Sequence, residues 1–190
     1  MRILFRRREI GECVSVIHRR DGVVLELPSY SRKHRIPHDV AHAVTERELR
    51  ISGGVFGLIA SGYLFVNMTV VSGKVPHDAK ARGERLMKAH GGSITTAEVL
   101  AGAVHHAVEN GQSDDAYPLA VAAWGSTQTG PFPWHRADLE RAAAVLAEHD
   151  RRWQEVGVGE DMEFTWPDSL SHAVPARAKA NHRSAVRARR

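Results

Sequence analysis

A single cysteine, Cys13, stands among the 190 residues, which excludes an internal disulfide framework and any zinc site built on cysteine alone. It has no motif around it that would make it a catalytic thiol. Aromatic residues are only 6% of the chain, and Trp124, Trp134, Trp153 and Trp166 read as packing residues, not as a base-stacking platform. There is no phosphate-binding glycine loop, dinucleotide fingerprint or Gly-x-Ser-x-Gly elbow, and no internal repeat. The apolar run Ile3-Leu4-Phe5 is too short for a secretory leader, and no lipidation motif is visible. A cytoplasmic location is therefore expected, in keeping with the lone thiol.

Charge is missing altogether from residues 51–73, a stretch long enough to span a bilayer. Gly53, Gly54, Gly57, Gly62, Asn67 and three serines dilute its hydrophobicity, so it reads as the buried centre of a helical domain, with contact at a membrane surface as the alternative. The formal net charge of +4 is unevenly placed. Residues 1–35 carry nine basic side chains against four acidic, residues 36–174 eleven against eighteen, and residues 175–190 six basic and no acidic. The centre is acidic and the basic character belongs to the two ends.

The pattern implies an α+β fold, mostly helical: an N-terminal β-hairpin, with a C-terminal third strand able to join it, packed on five or six helices. Residues 1–170 read as one globular domain and residues 171–190 as a basic, disordered tail. The hairpin spans 13–27, with two β-branched runs flanking Asp21-Gly22, a pair suited to a type I′ turn. Helices are expected from Pro37 to about Arg50, from about Val55 to Met68, from Pro76 to about His90, from a Thr95/Glu98 capping box to Asn110-Gly111, over 115–126, and over 135–155. Gly53, Gly57 and Ser61 recur every four residues and would allow another helix to approach. Met162–Trp166 alternates at period two, as a strand does.

Chemistry concentrates in Pro37-His38-Asp39-Val40-Ala41-His42-Ala43-Val44-Thr45-Glu46. On a helix, with His38 at 0°, His42 falls near 40°, Glu46 near 80° and Asp39 near 100°, at about 100° per residue. Two histidines at i and i+4 can meet one ion. His38 and His42 are thus expected as metal ligands, with Glu46 or Asp39 as third ligand, as a partner for an imidazole N–H, or as a base acting on water. His34 extends the four-residue interval backwards. His77, in a second Pro-His-Asp trio, reads as part of a helix start, and completes the site if the two helices pack side by side. His105 and His106 are neighbours pointing about 100° apart, so at most one faces a shared pocket; Glu109 can join either.

The string departs from the zincin HExxH by its Asp, which is one methylene shorter than Glu, and no zincin-like ligand follows downstream. HDxxH on a helix resembles the signature of the ubiquinone-biosynthesis family of helical metal-binding proteins. His38, Asp39 and His42 match it, and the likeness covers about thirty residues. Members of that family are mostly helical, associate with membranes and bind a prenylated aromatic substrate. The resemblance implies a metal site here, but the Glu that follows eleven residues after the family's motif is Gly54 in this chain, so its place falls to another residue, such as Glu46.

Two functions are expected from these features. The first is a metal-dependent enzyme, a hydrolase, lyase or oxidoreductase, that acts on a small, partly apolar substrate. It would use a divalent ion, zinc or iron, with Asp39 and Glu46 as catalytic groups. The second is a non-catalytic binding or regulatory protein that contacts nucleic acid or a protein through its basic ends. No helix-turn-helix, zinc finger or RNA-binding sheet signature accompanies that charge.

Overall fold

A computed structural model describes residues 1–9, 12–29 and 34–173. Its elements in chain order are β1 (Arg2–Arg7), β2 (Cys13–His18), β3 (Val24–Ser29), α1 (His38–Glu48), α2 (Val55–Ala60), β4 (Thr69–Ser72), α3 (Ala79–His90), α4 (Ser93–Glu109), α5 (Ala116–Thr127), α6 (Arg136–Glu155) and β5 (Asp161–Thr165). The expected mostly helical α+β class is what forms. The basic tail falls almost wholly outside the described residues.

The five strands make one antiparallel sheet in the order β4-β3-β2-β1-β5. β1 lies between β2 and β5 and alternates: Ile3 and Phe5 are fully buried, while Arg2, Leu4 and Arg6 lie on the other face. Ile3 sits opposite Ile17 and Phe164, and Ile17 opposite Leu25, so one face presents a continuous apolar surface to the helices. The opposite face carries ion pairs, among them Arg6 to Asp161 at 2.8 Å and Arg8 to Glu26 at 3.8 Å.

β5 joins the sheet beside β1, as its period-two alternation suggests. Two strands are additional to the expected hairpin. β1 was hidden by its arginines, and β4 is a short, exposed edge strand inside the uncharged segment. The turn between β2 and β3 also differs from the expected type I′, which needs two residues with positive φ. Here only Gly22 has one, at 80°, after a turn closed by the Gly22 N–H to the Arg19 carbonyl at 3.2 Å.

The helix expected over 55–68 is only α2, six residues long. Its last turn closes on Gly62, whose φ of 104° lies outside the helical region and sends the chain toward β4. The Gly53–Gly57–Ser61 stripe does not receive a helix along its length. Gly53 instead admits the junction of α3 and α4, where an added Cβ would meet the His90 carbonyl oxygen at 2.7 Å. No helix among the described residues is long and apolar enough to cross a membrane. The Thr95 capping box does not form either: α4 begins at Ser93 behind Gly92 with no side-chain cap, which leaves Glu98 free for another role.

α1 packs against α4, α6 and α2 and meets the sheet through Asp39 on Ser15 and Arg47 on Phe164. Val40, Ala41, Ala43 and Val44 are fully buried. Arg47, the break in its apolar face, lays its guanidinium over the Phe164 ring at 4.4 Å, so the stem and the flat cation both pack on an apolar neighbour.

Candidate metal centre

α1 and α4 run antiparallel, so residue numbers rise along one as they fall along the other. This brings Glu98, near the start of α4, against the face of α1 that carries His38 and His42. His42 Nε2 lies 3.2 Å from His38 Nε2 and 3.2 Å from Glu98 Oε2, and His38 Nε2 lies 3.7 Å from the same carboxylate oxygen. A point about 2.0 Å from all three atoms exists close to their plane, which matches zinc–nitrogen and zinc–oxygen bond lengths. His38, His42 and Glu98 thus form a two-histidine, one-carboxylate cluster that could hold a metal ion.

One side of the cluster is built into the protein and the other is open. The His42 side chain is 4% exposed, whereas that of His38 is 38% and that of Glu98 50%. The open side faces a cavity of about 300 Å³ walled by Leu27, Pro28, Val55, Phe56, Phe65 and Ile94, with Asp39, Ser29 and Asn67 as its other polar groups. Among the described residues no Lys or Arg lines it. A larger cavity of about 610 Å³, between Tyr63–Val66 and α3, contains no such cluster.

Glu46 takes a different position from the expected ligand. It is fully buried and sits on the far ring nitrogen of His42, with Oε1 3.1 Å from Nδ1. Its two oxygens also accept the backbone N–H groups of Val55 at 2.9 Å and Phe56 at 3.0 Å. The Glu46 oxygens accept, so His42 Nδ1 carries a proton, and Nε2, which faces the cavity, is the nitrogen that can give up its own proton to a metal ion. Gly54 makes this possible, because an added Cβ would lie 2.6 Å from Glu46 Oε2 and closer still to Cδ. The position occupied by Glu in the HDxxH pattern is thus the floor on which Glu46 rests. Of the positions expected for it, Glu46 takes that of the partner to an imidazole N–H.

Asp39 lines the cavity and accepts the Ser15 hydroxyl of β2 at 2.8 Å. Burial pushes its carboxyl up, against the pull of that hydroxyl and of the nearby His42 and His38. For His42 itself, burial opposes the charged ring, but Glu46 and Glu98, one on each nitrogen, more than offset it and hold the imidazolium up to about 10. His38 and His42 in turn hold the Glu98 carboxyl well below the usual range. His77 is exposed just ahead of α3 and belongs to neither of the two metal-competent clusters among the described residues.

The second of those clusters is His34, His105 and Glu109. His105 is buried and His106 exposed, so of the two adjacent histidines one faces inward. Burial, helped by the neighbouring His34, lowers the His105 ring to about 4.

Glu98 is the functional residue that sequence reasoning missed. A local signal existed: residues 98, 105 and 109 are separated by seven and four, which places Glu98, His105 and Glu109 on one face of a helix. Six arginines of the N-terminal part have partners within the fold. Besides Arg6 and Arg8, Arg7 stacks on Trp153 at 4.7 Å, Arg19 pairs with Asp21, Arg20 with Asp168 at 2.6 Å and Arg35 with Asp150 at 2.6 Å. Comparisons with sequence profiles of protein families, with curated protein sequences and with solved structures find no match to this chain.

Proposed function

We propose that the chain is a metal-dependent hydrolase of a small, neutral, partly apolar ester or amide, with His38, His42 and Glu98 as ligands of a divalent ion, zinc in the first instance. The observation that carries this reading is the convergence of the three ligand atoms beside an open apolar cavity. Two histidines and one glutamate with an open position suit a catalytic zinc site, and suit iron as well. A bound ion would polarise the substrate carbonyl and make water acidic enough to react near neutral pH.

The chain's own residues supply the rest. Leu27, Val55, Phe56, Phe65 and Ile94 receive the apolar part of the substrate. The Asp39 and Glu98 carboxylates on the cavity wall favour a neutral substrate over a phosphorylated or carboxylate one. Asp39 is the general base: water attacks the carbonyl carbon, its proton passes to Asp39, the C–O or C–N bond breaks, and the leaving group departs with that proton. A carboxyl raised by burial is better matched to that task than an ordinary aspartate. Glu46 is a positioning residue that fixes the His42 ring.

The test uses zinc-loaded full-length chain with nitrophenyl esters of short and medium acyl groups. Turnover is expected that a chelator removes and zinc restores. Asp39→Asn should lower kcat by about 10²–10⁴-fold with zinc content unchanged, and Glu98→Gln should lose both zinc and turnover. Absence of metal-dependent turnover across the series would overturn the reading. The binding alternative draws most directly on residues 175–190, which carry six basic and no acidic side chains. Salt-sensitive nucleic-acid binding that is lost when 175–190 are deleted would favour it.

A further inference from the structure

The face of α4 that carries Glu98 continues through Gly102 to His105 and Glu109, and His34 lies in the segment that leads into α1 ahead of His38. The antiparallel pairing that joins Glu98 to His38 and His42 therefore also brings His34 to His105 and Glu109. The His34 and His105 rings lie 4.6 Å apart between centroids. One ring nitrogen of each and one Glu109 oxygen all fall within 4.8 Å of one another.

Backbone bonds hold this arrangement in place. Glu109 Oε1 accepts the Ile36 N–H at 2.8 Å, and His105 Nε2 lies 3.1 Å from the Ile36 carbonyl and 3.4 Å from Glu109 Oε1. The segment leading into α1 is thus pinned to both α4 residues, which sets His34, two residues earlier, over the His105 ring. The three residues line a cavity of about 460 Å³ together with Gly102, His106 and His38. His38 also lines the cavity of the first cluster, and its ring lies 4.6 Å from His42 and 5.8 Å from His105.

We propose that His34, His105 and Glu109 form a second divalent-cation site, further along the same α1–α4 seam and separated from the first by the His38 side chain. Two imidazoles and a carboxylate suit zinc or a neighbouring transition metal better than magnesium or calcium, which take oxygen ligands. Ligand atoms around tetrahedral zinc stand about 3.3 Å apart. His34 is exposed, so rotation of its side chain can close the wider spacing without disturbing the core.

The site is separable from the first by zinc titration calorimetry on metal-stripped, full-length chain. The wild type should bind two zinc ions. His34→Ala, a change at an exposed position, should remove one binding step and leave the fold unaltered by circular dichroism. Glu98→Gln should remove the other step and leave the one that depends on His34. A wild type that binds a single zinc, lost in Glu98→Gln and unaffected in His34→Ala, would overturn the second site, as would a wild type that binds none. Zinc lost in His34→Ala but retained in Glu98→Gln would support the second site while contradicting the first.

Discussion

Glu46, Gly54 and His42 form a unit in which each residue depends on the next. Glu46 is fully buried, and two backbone N–H groups and the His42 ring satisfy it. Gly54→Ala would drive a methyl group into that carboxylate. We expect a loss of about 1–3 kcal/mol in stability from overpacking, read by denaturant unfolding. Zinc affinity should fall about 10–100-fold as His42 loses its support, read by chelator competition.

The protonation of His42 gives a second test at this scale. Its folded pKa of about 10 stands above its ordinary value of 6.5. The charged ring therefore stabilises the metal-free chain fully below about pH 6.5, and that contribution is lost as pH rises through about 10. Zinc must displace this proton, so its affinity should rise by about tenfold per pH unit across the neutral range. A pH-independent affinity from about pH 6 to about pH 8 would contradict the coupling.

Among the elements, those declared by local periodicity were legible: the β2–β3 pair, α1, α4, α6 and β5. α2 and β4 were not, because an uncharged run reads as one apolar helix until Gly62 turns it, and β4 exists only through its pairing with β3. Two of the three residues of the first cluster were legible for a similar reason. His38 and His42 share one helix, whereas Glu98 acquires its role only when α4 packs on α1, and its neighbour Thr95 offered a local explanation as a cap. α2 also connects core to site, since Phe56 gives its N–H to Glu46 and its ring to Phe5 and Trp166, with centroids 6.3 Å and 6.1 Å away. Phe56→Ala should cost about 3–5 kcal/mol, measured by denaturant unfolding, and should enlarge the cavity on the apolar side.

At the scale of the whole molecule, the sheet and the helices divide the charge. Ion pairs occupy the outer face of the sheet, the helices cover its inner face, and the acidic, histidine-rich seam between α1 and α4 lies on the helical side. A basic overall composition therefore coexists with a cavity whose described lining carries histidines, Asp39 and Glu98 but no Lys or Arg. The account stands on His38 and His42 as ligands through Nε2, with His42 Nδ1 kept protonated by Glu46. Long-range ¹H–¹⁵N correlation of the imidazole rings, recorded as zinc is added to the full-length chain, reports this directly. The prediction is that Nε2 of both residues moves to metal-bound shifts while His42 Nδ1 retains its proton. Zinc binding that shifts other histidines and leaves the His38 and His42 rings unchanged would contradict it.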